Sequence, residues 1–344
     1  MKSIDGRIDG INNAIQHSKL RYILFRVFTD SNANHGYKYL TSDIYTSPVD
    51  LKNGSWDLTL GSVSRLRDGF LSPIFVEIKS SFNDSAILVK EIVDKIRKTE
   101  LLMDNGEEEV ILSQIAETGK DGLKIDRTNL EYVIFIPGRL SGKLVDYITA
   151  TSKEWDNKTG VIVWAYDKKN ADGDVIIIPY SHRPQVKTCR NMDKADCKLC
   201  LCVHGDSNLL NYLKNVDDQE LELGRIMPSR HKYVDPVVNI ISILSVGKLF
   251  KKTDKNLGEK DLIKRMSEFF HEFMVFPTQD ELDYLFALMI RGKIILKTKG
   301  PFPSYHLNGD ILDALGEEKI LIEEVIKRAV KNKLPQTFLE QFIK

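Results

Sequence analysis

The sequence predicts an α/β fold in which helices flank a mixed sheet, followed by a cysteine-rich metal-binding loop and a mainly helical C-terminal region. Between residues 8 and 181, continuous apolar runs such as "LEYVIFIPG" alternate with stretches of helical periodicity. That alternation is typical of strands buried on both faces of a sheet. All four cysteines lie between residues 189 and 202, and helical patterns dominate from about residue 235 onward.

The N-terminal elements follow in a definite order. Apolar residues recur every three or four positions over 8–28 and predict a helix. Three strand-like runs come next: "YKYLTSDIY", "SWDLTLGSV" and "SPIFVEIKSS". A second helix is predicted over 85–103, with Asn83 or Asp84 as its N-cap. A short helix, a buried strand, a further helix and two more strands complete the region near residue 181.

Length and composition set the domain organisation and the compartment. The 344 residues divide by character into 1–182, 183–234 and 235–344. Lys plus Arg (49) equals Asp plus Glu (49), so any binding to nucleic acid must come from local patches. No apolar run reaches the length of a membrane span, and the N-terminus lacks a signal-peptide core. We therefore expect a cytoplasmic protein that does not bind membranes.

Two acids and a lysine interrupt the apolar runs of the second and third strands. Glu77 and Lys79 are two residues apart, so both side chains point to the same face of a strand. If these two strands pair as a hairpin, Asp57 lies beside Glu77. Two adjacent carboxylates repel each other, and a divalent cation such as Mg²⁺ relieves that repulsion. The alternative interpretation is an exposed ion pair at a strand end, which would contribute little.

This arrangement resembles the PD-(D/E)xK nuclease superfamily, which includes restriction endonucleases and Holliday-junction resolvases. The resemblance covers roughly residues 1–180 and depends on Asp57, Glu77, Lys79 and the helix that follows. It implies a restriction-endonuclease-like fold in which Asp57 and Glu77 bind Mg²⁺ or Mn²⁺ and Lys79 completes the catalytic site. Trp56 stands where the motif has proline, and the first helix lacks the glutamate that many members carry there.

The function implied by the resemblance is that of a Mg²⁺-dependent endonuclease, a hydrolase that cuts phosphodiester bonds, with DNA as the expected substrate. Two alternatives remain open. One is a catalytically inactive, zinc-stabilised protein that binds nucleic acid or regulates another factor. The other is an RNA-cleaving nuclease of a defence or processing system.

The cysteines predict a structural metal site. Cys189, Cys197, Cys200, Cys202 and His204 place five soft ligands within sixteen residues. Without an export signal a disulfide framework is not expected, whereas four such ligands satisfy tetrahedral Zn²⁺. The fourth ligand is Cys202 or His204. An iron–sulfur cluster and a set of unligated thiols are the alternatives.

Residues 235–308 resemble a winged-helix domain, with three helical patterns followed by two short strands. In that fold "TQDELDYLFALMIRG" would be the recognition helix and "KTKGPFPS" the wing. Acids at the start of this helix, including Asp280 and Glu281, disfavour its insertion into a DNA groove. Lys293, Lys297 and Lys299 offer contacts to DNA, and a homodimer or protein-partner interface is the alternative.

Overall fold

The structure is a computed structural model of the chain. It describes these residues: 4–30, 36–45, 55–62, 70–80, 84–116, 124–125, 130–151, 161–166, 180–182, 225–229, 236–250, 257–300 and 303–334. The predicted cysteine-rich loop lies outside these ranges. None of the helices in the described part is both long and apolar enough to cross a membrane.

The chain forms two compact units. One consists of Ile23–Leu223, and the other combines Met1–Tyr22 with Gly224–Lys344. Helix α1 (Ile4–Thr29) therefore contributes residues to both units. The division into 1–182, 183–234 and 235–344 stays a prediction, because most of its middle part lies outside the described residues.

The unit formed by Ile23–Leu223 is an α/β unit, as the sequence predicts. Its elements after α1 are β1 (Tyr37–Tyr45), β2 (Ser55–Ser62), β3 (Phe70–Leu71), β4 (Pro73–Ile78), α2 (Ser85–Asp104), α3 (Glu109–Ala116), β5 (Lys124–Ile125), β6 (Glu131–Pro137), α4 (Gly138–Thr151), β7 (Val161–Tyr166) and β8 (Tyr180–His182). Six strands form one sheet in the order β1-β2-β4-β6-β7-β8. Strands β4, β6 and β7 are parallel, and the other neighbours are antiparallel, so the sheet is mixed.

Helices cover both faces of this sheet, which explains why its strands β6 and β7 are almost entirely apolar and buried. On one face, α2 and α4 bury residues such as Ile92 and Leu144 against the strands. There the rings of Phe75 and Tyr132 stack with their centroids 5.7 Å apart. On the other face, Phe28 of α1 stacks on Trp164 of β7 at 5.8 Å.

Helix α2 begins where the sequence predicts. The side chain of Asp84 accepts a hydrogen bond from the backbone N–H of Ala86 at 2.7 Å, which makes it the N-cap. Of the two predicted caps, Asn83 lies outside the described residues. The buried stripe of the helix, which includes Leu88, Ile92 and Ile96, faces the sheet. This packing fixes how α2 lies over the ends of β2 and β4.

The second unit is mainly helical. Besides the N-terminal part of α1 it contains α5 (Pro236–Ser245), α6 (Glu259–Glu272), α7 (Gln279–Arg291), β9 (Ile295–Lys297), β10 (Tyr305–Leu307), α8 (Gly309–Ala314) and α9 (Glu318–Lys331). Strands β9 and β10 pair antiparallel. Thr278 and Glu281 form a capping box at the start of α7. The predicted order of three helices and two short strands is thus present.

The N-terminal part of α1 packs within this second unit. The hydroxyl of Ser18 donates to the backbone carbonyl of Met227, and Lys19 forms an ion pair with Glu318. The ring of Tyr22 meets that of Phe273 edge to face, with centroids 6.0 Å apart. The part of α1 up to Tyr22 therefore belongs to a core made mostly by the last third of the chain.

Candidate functional site

The structure brings Asp57 next to the strand that carries Glu77 and Lys79. Strands β2 and β4 are antiparallel neighbours, as the predicted hairpin requires, and their ladder reaches the pair Leu58 and Val76. Beyond that pair, the Oδ2 atom of Asp57 accepts a hydrogen bond from the backbone N–H of Ile78 at 2.6 Å. Asp57 thus lies near the start of β2 and beside the end of β4, next to the residue that separates Glu77 from Lys79.

Glu77 is a buried carboxylate held by two lysines. Its side chain is 4% exposed, its Oε1 atom lies 2.8 Å from the Nζ atom of Lys79, and its Oε2 atom lies 2.6 Å from the Nζ atom of Lys95. A buried, ionised carboxylate is costly unless charged partners satisfy its oxygens. Each oxygen of Glu77 has such a partner.

Lys79 lies among three acids. It forms the pair with Glu77 and lies 3.9 Å from Glu91 of α2. Burial lowers the pKa of Lys79, but the charge and hydrogen bond of Glu77 and the charges of Asp57 and Glu91 together outweigh burial and raise that pKa above its usual 10.5. Lys79 is consequently a stable cation at neutral pH, with 28% of its side chain exposed.

Lys95 of α2 belongs to the site, and the sequence analysis did not single it out. Its ammonium group also donates to the backbone carbonyl of Ser55 at 3.0 Å and lies 5.6 Å from the centre of the Trp56 ring. A signal was present in the sequence, because a lysine three residues after Ile92 and four before Thr99 falls on the buried stripe of the helix. Its partner on β4, however, could be found only in three dimensions.

A third acid lies nearby on β1. The register of β1 with β2 places Asp43 across from Asp57, and Asp43 is 4% exposed. Its φ of 53° lies in the left-handed region, where the alternation of side chains along a strand no longer holds. In the described part of the chain, no three side chains of His, Cys, Asp or Glu come together in a way that could hold a metal ion.

Asp57 and Glu77 fit Mg²⁺ or Mn²⁺ by chemical type. Mg²⁺ in proteins takes one or two carboxylates and completes its octahedral shell with water and substrate phosphate oxygens. Both oxygens of Glu77 already accept from ammonium groups, so a metal ion at Glu77 would either share an oxygen with a lysine or displace that lysine. Asp57 and Glu77 therefore supply enough carboxylates for Mg²⁺, and the contacts of Lys79 and Lys95 with Glu77 determine how accessible one of them is.

The other predicted site residues fall into two groups. Cys189, Cys197, Cys200, Cys202 and His204 lie outside the described residues. The lysines of the C-terminal unit, Lys293, Lys297 and Lys299, are exposed around the β9–β10 pair.

Comparison with known proteins identifies no relative of this chain. No protein-family model matches the chain, no curated protein matches it, and no solved structure matches its fold.

Proposed function

We propose that the protein is a metal-dependent endonuclease whose active site is formed by Asp57, Glu77 and Lys79, with DNA as substrate. One observation carries the proposal: two carboxylates from neighbouring strands and a lysine cation converge at one end of a mixed sheet. Phosphodiester hydrolysis needs positive charge beside the phosphate, because the negative charge on its oxygens increases in the transition state. Carboxylates that bind a metal ion, together with a lysine, can supply that positive charge. The order of elements around them supports a restriction-endonuclease-like fold.

Each residue has a distinct role in the proposed reaction. Asp57 and Glu77 would hold Mg²⁺ or Mn²⁺, which when bound supplies positive charge at the scissile phosphate and acidifies water. Lys79 is the group that can donate a hydrogen bond to a phosphate oxygen or position the attacking water. Its raised pKa keeps it a donor at neutral pH, and its exposed fraction makes it accessible to substrate.

The inactive alternative is favoured by a different observation. Both oxygens of Glu77 are already hydrogen-bonded to ammonium groups. The same contacts are expected of an ion cluster that only stabilises the fold. In that case the fold would bind nucleic acid or a protein partner and hydrolyse nothing. The two proposals differ in one property, the binding of a divalent cation at Asp57 and Glu77.

The remaining parts of the chain would serve substrate binding. We propose that the cysteine-rich loop holds one structural Zn²⁺, with an iron–sulfur cluster as the alternative. The three helices and the β9–β10 pair would act as a winged-helix-like module that contacts DNA through lysines such as Lys297, or mediates a dimer or protein contact. Elemental analysis of the purified chain should find about one zinc per molecule; a brown, iron-containing preparation would replace zinc with a cluster.

The experiment that tests the nuclease proposal uses the purified full chain with supercoiled plasmid and, separately, with labelled RNA. We expect plasmid to be nicked or linearised in Mg²⁺ or Mn²⁺ and left intact in EDTA. Lys79→Ala, purified in parallel, should cut about 100- to 1000-fold more slowly. Cleavage of RNA alone would favour the RNA-cleaving alternative, and intact plasmid and RNA under all conditions would favour the inactive one.

A further inference from the structure

The two lysines on Glu77 are held very differently. Within the described part of the chain, Lys95 has three partners: the Oε2 atom of Glu77, the carbonyl of Ser55 and the ring of Trp56. Among the residues that the structure describes, Lys79 has one close ion-pair partner, the Oε1 atom of Glu77, and a longer contact of 3.9 Å to Glu91. The exposed fraction of the side chain follows the same order, 15% for Lys95 and 28% for Lys79.

The elements that carry the two lysines explain this asymmetry. Lys95 projects from the middle of α2, one turn before Thr99, whose hydroxyl accepts a hydrogen bond from the indole of Trp56 at 3.0 Å. Helix α2 is thus hydrogen-bonded to β4 through Lys95 and to β2 through both Lys95 and Thr99. Lys79 directly follows the last residue of β4; its backbone N–H still donates to the carbonyl of Phe135 in β6 at 2.9 Å, but its side chain is the more exposed of the two. Counting contacts between described residues, releasing Lys95 would break several at once, whereas releasing Lys79 would break one close pair.

We propose that Lys95 is a positioning residue that holds Glu77 in its metal-binding orientation, and that Lys79 is the exchangeable cation that leaves Glu77 when a divalent cation binds. This inference rests on the proposed function, because it concerns the same acid pair. Lys95 keeps its contacts in both states, whereas the ammonium group of Lys79 moves away from Glu77 when the cation binds.

The two proposed roles predict opposite changes in the affinity for a divalent cation when each lysine is replaced. Each substitution, Lys79→Met or Lys95→Met, removes one positive charge from the same carboxylate, so charge alone would strengthen cation binding in both variants. Removing the exchangeable Lys79 also removes a competitor for Glu77, and binding should become tighter. Removing Lys95 frees the carboxylate to turn away, and partners that orient a metal ligand typically contribute about 10- to 100-fold to affinity.

The test is a titration of the full chain with Mn²⁺ alone, followed by calorimetry or by the electron paramagnetic resonance signal of the unbound ion. We expect Lys79→Met to bind Mn²⁺ several-fold more tightly than wild type and Lys95→Met to bind it about 10-fold or more weakly. Lys95→Arg, which keeps a cation and donors for Glu77 and Ser55, should recover most of the affinity. A residue that only stabilised the fold would not change Mn²⁺ affinity in molecules that remain folded.

The controls separate the two possible failures. Asp57→Asn identifies the Mn²⁺ bound at the acid pair, and circular dichroism verifies that each variant is folded; if Lys95→Met is not, Lys95→Gln replaces it. Wild-type binding that Asp57→Asn leaves unchanged would overturn the proposed function and this inference together. Wild-type binding that depends on Asp57, with Lys95→Met binding as tightly as Lys79→Met, would overturn the inference about Lys95 alone.

Discussion

At the scale of single residues, Glu77 connects the charged groups of the site, because both lysines contact its carboxylate. Its buried carboxylate is shared by Lys79 and Lys95, so removing its charge leaves two cations without their main partner. We expect Glu77→Gln to lower the free energy of unfolding by about 2–3 kcal/mol, somewhat less than for a fully buried pair because both lysines reach solvent. Urea unfolding followed by circular dichroism measures this.

A matched control for this prediction is present in the same cluster. Glu91 lies 3.9 Å from Lys79, and its side chain is 58% exposed. Glu91→Gln should therefore change the free energy of unfolding by less than about 0.5 kcal/mol. Equal stabilities for Glu77→Gln and wild type would show that the lysines do not stabilise the ionised carboxylate.

Lys79 makes a prediction about pH. Its pKa in the folded protein is raised above 10.5, the value expected in the unfolded chain. A group with a raised pKa contributes its stabilisation fully below the unfolded value and loses it as pH rises through the folded value. The difference in free energy of unfolding between wild type and Lys79→Met should therefore be constant from about pH 6 to 9 and shrink above about pH 10.5. A difference that shrinks already between pH 7 and 9 would contradict it.

At the scale of elements, α2 orients the site, since it carries both Lys95 and Glu91. The cap at Asp84 satisfies a backbone N–H at its first turn, 2.7 Å away at Ala86. Asp84→Ala should lower the free energy of unfolding by about 1 kcal/mol, the usual contribution of an N-cap. Asp94→Ala, an exposed change in the middle of the same helix, should have little effect in the same urea titration, and equal losses for both would remove the capping explanation.

The elements also show what sequence could and could not predict. The hairpin of β2 with β4 and the start of α2 follow from local patterns, and both are confirmed. The contact of Lys95 with Glu77 joins residues eighteen positions apart on different elements, so spacing rules for one helix or strand cannot reveal it. Asp43 adopts a left-handed φ within a strand-like run; aspartate tolerates that region better than most residues, but the pattern of the run predicts extended backbone there.

At the scale of the whole molecule, the chain crosses between its two units. Sequence reasoning assigns the first helix to the N-terminal domain, since helix periodicity carries no information about which partner covers it. In the structure, Ser18, Lys19 and Tyr22 contact residues beyond 224. A chain cut at 182 therefore keeps the N-terminal part of α1 and loses its partners.

This arrangement predicts the behaviour of fragments. Fragment 1–182 should expose Tyr22 and the apolar residues before it, and should aggregate or unfold at lower urea concentration than the full chain. Fragment 23–182, which lacks that surface, serves as the control and should be the more soluble of the two. Gel filtration of both compares them directly, and a monodisperse, stable 1–182 would show that the N-terminal part of α1 needs no C-terminal partner.

The rate of Mg²⁺-dependent plasmid cleavage by Asp57→Asn, relative to wild type, tests the assignment of the acid pair most directly. Asparagine keeps an oxygen that can accept the backbone N–H of Ile78, so the ends of β2 and β4 should stay in place while one negative charge is lost. With both proteins verified as folded, we expect cleavage to fall by at least about 100-fold. Cleavage by Asp57→Asn at the wild-type rate would contradict the assignment of Asp57 and Glu77 as a metal-binding active site.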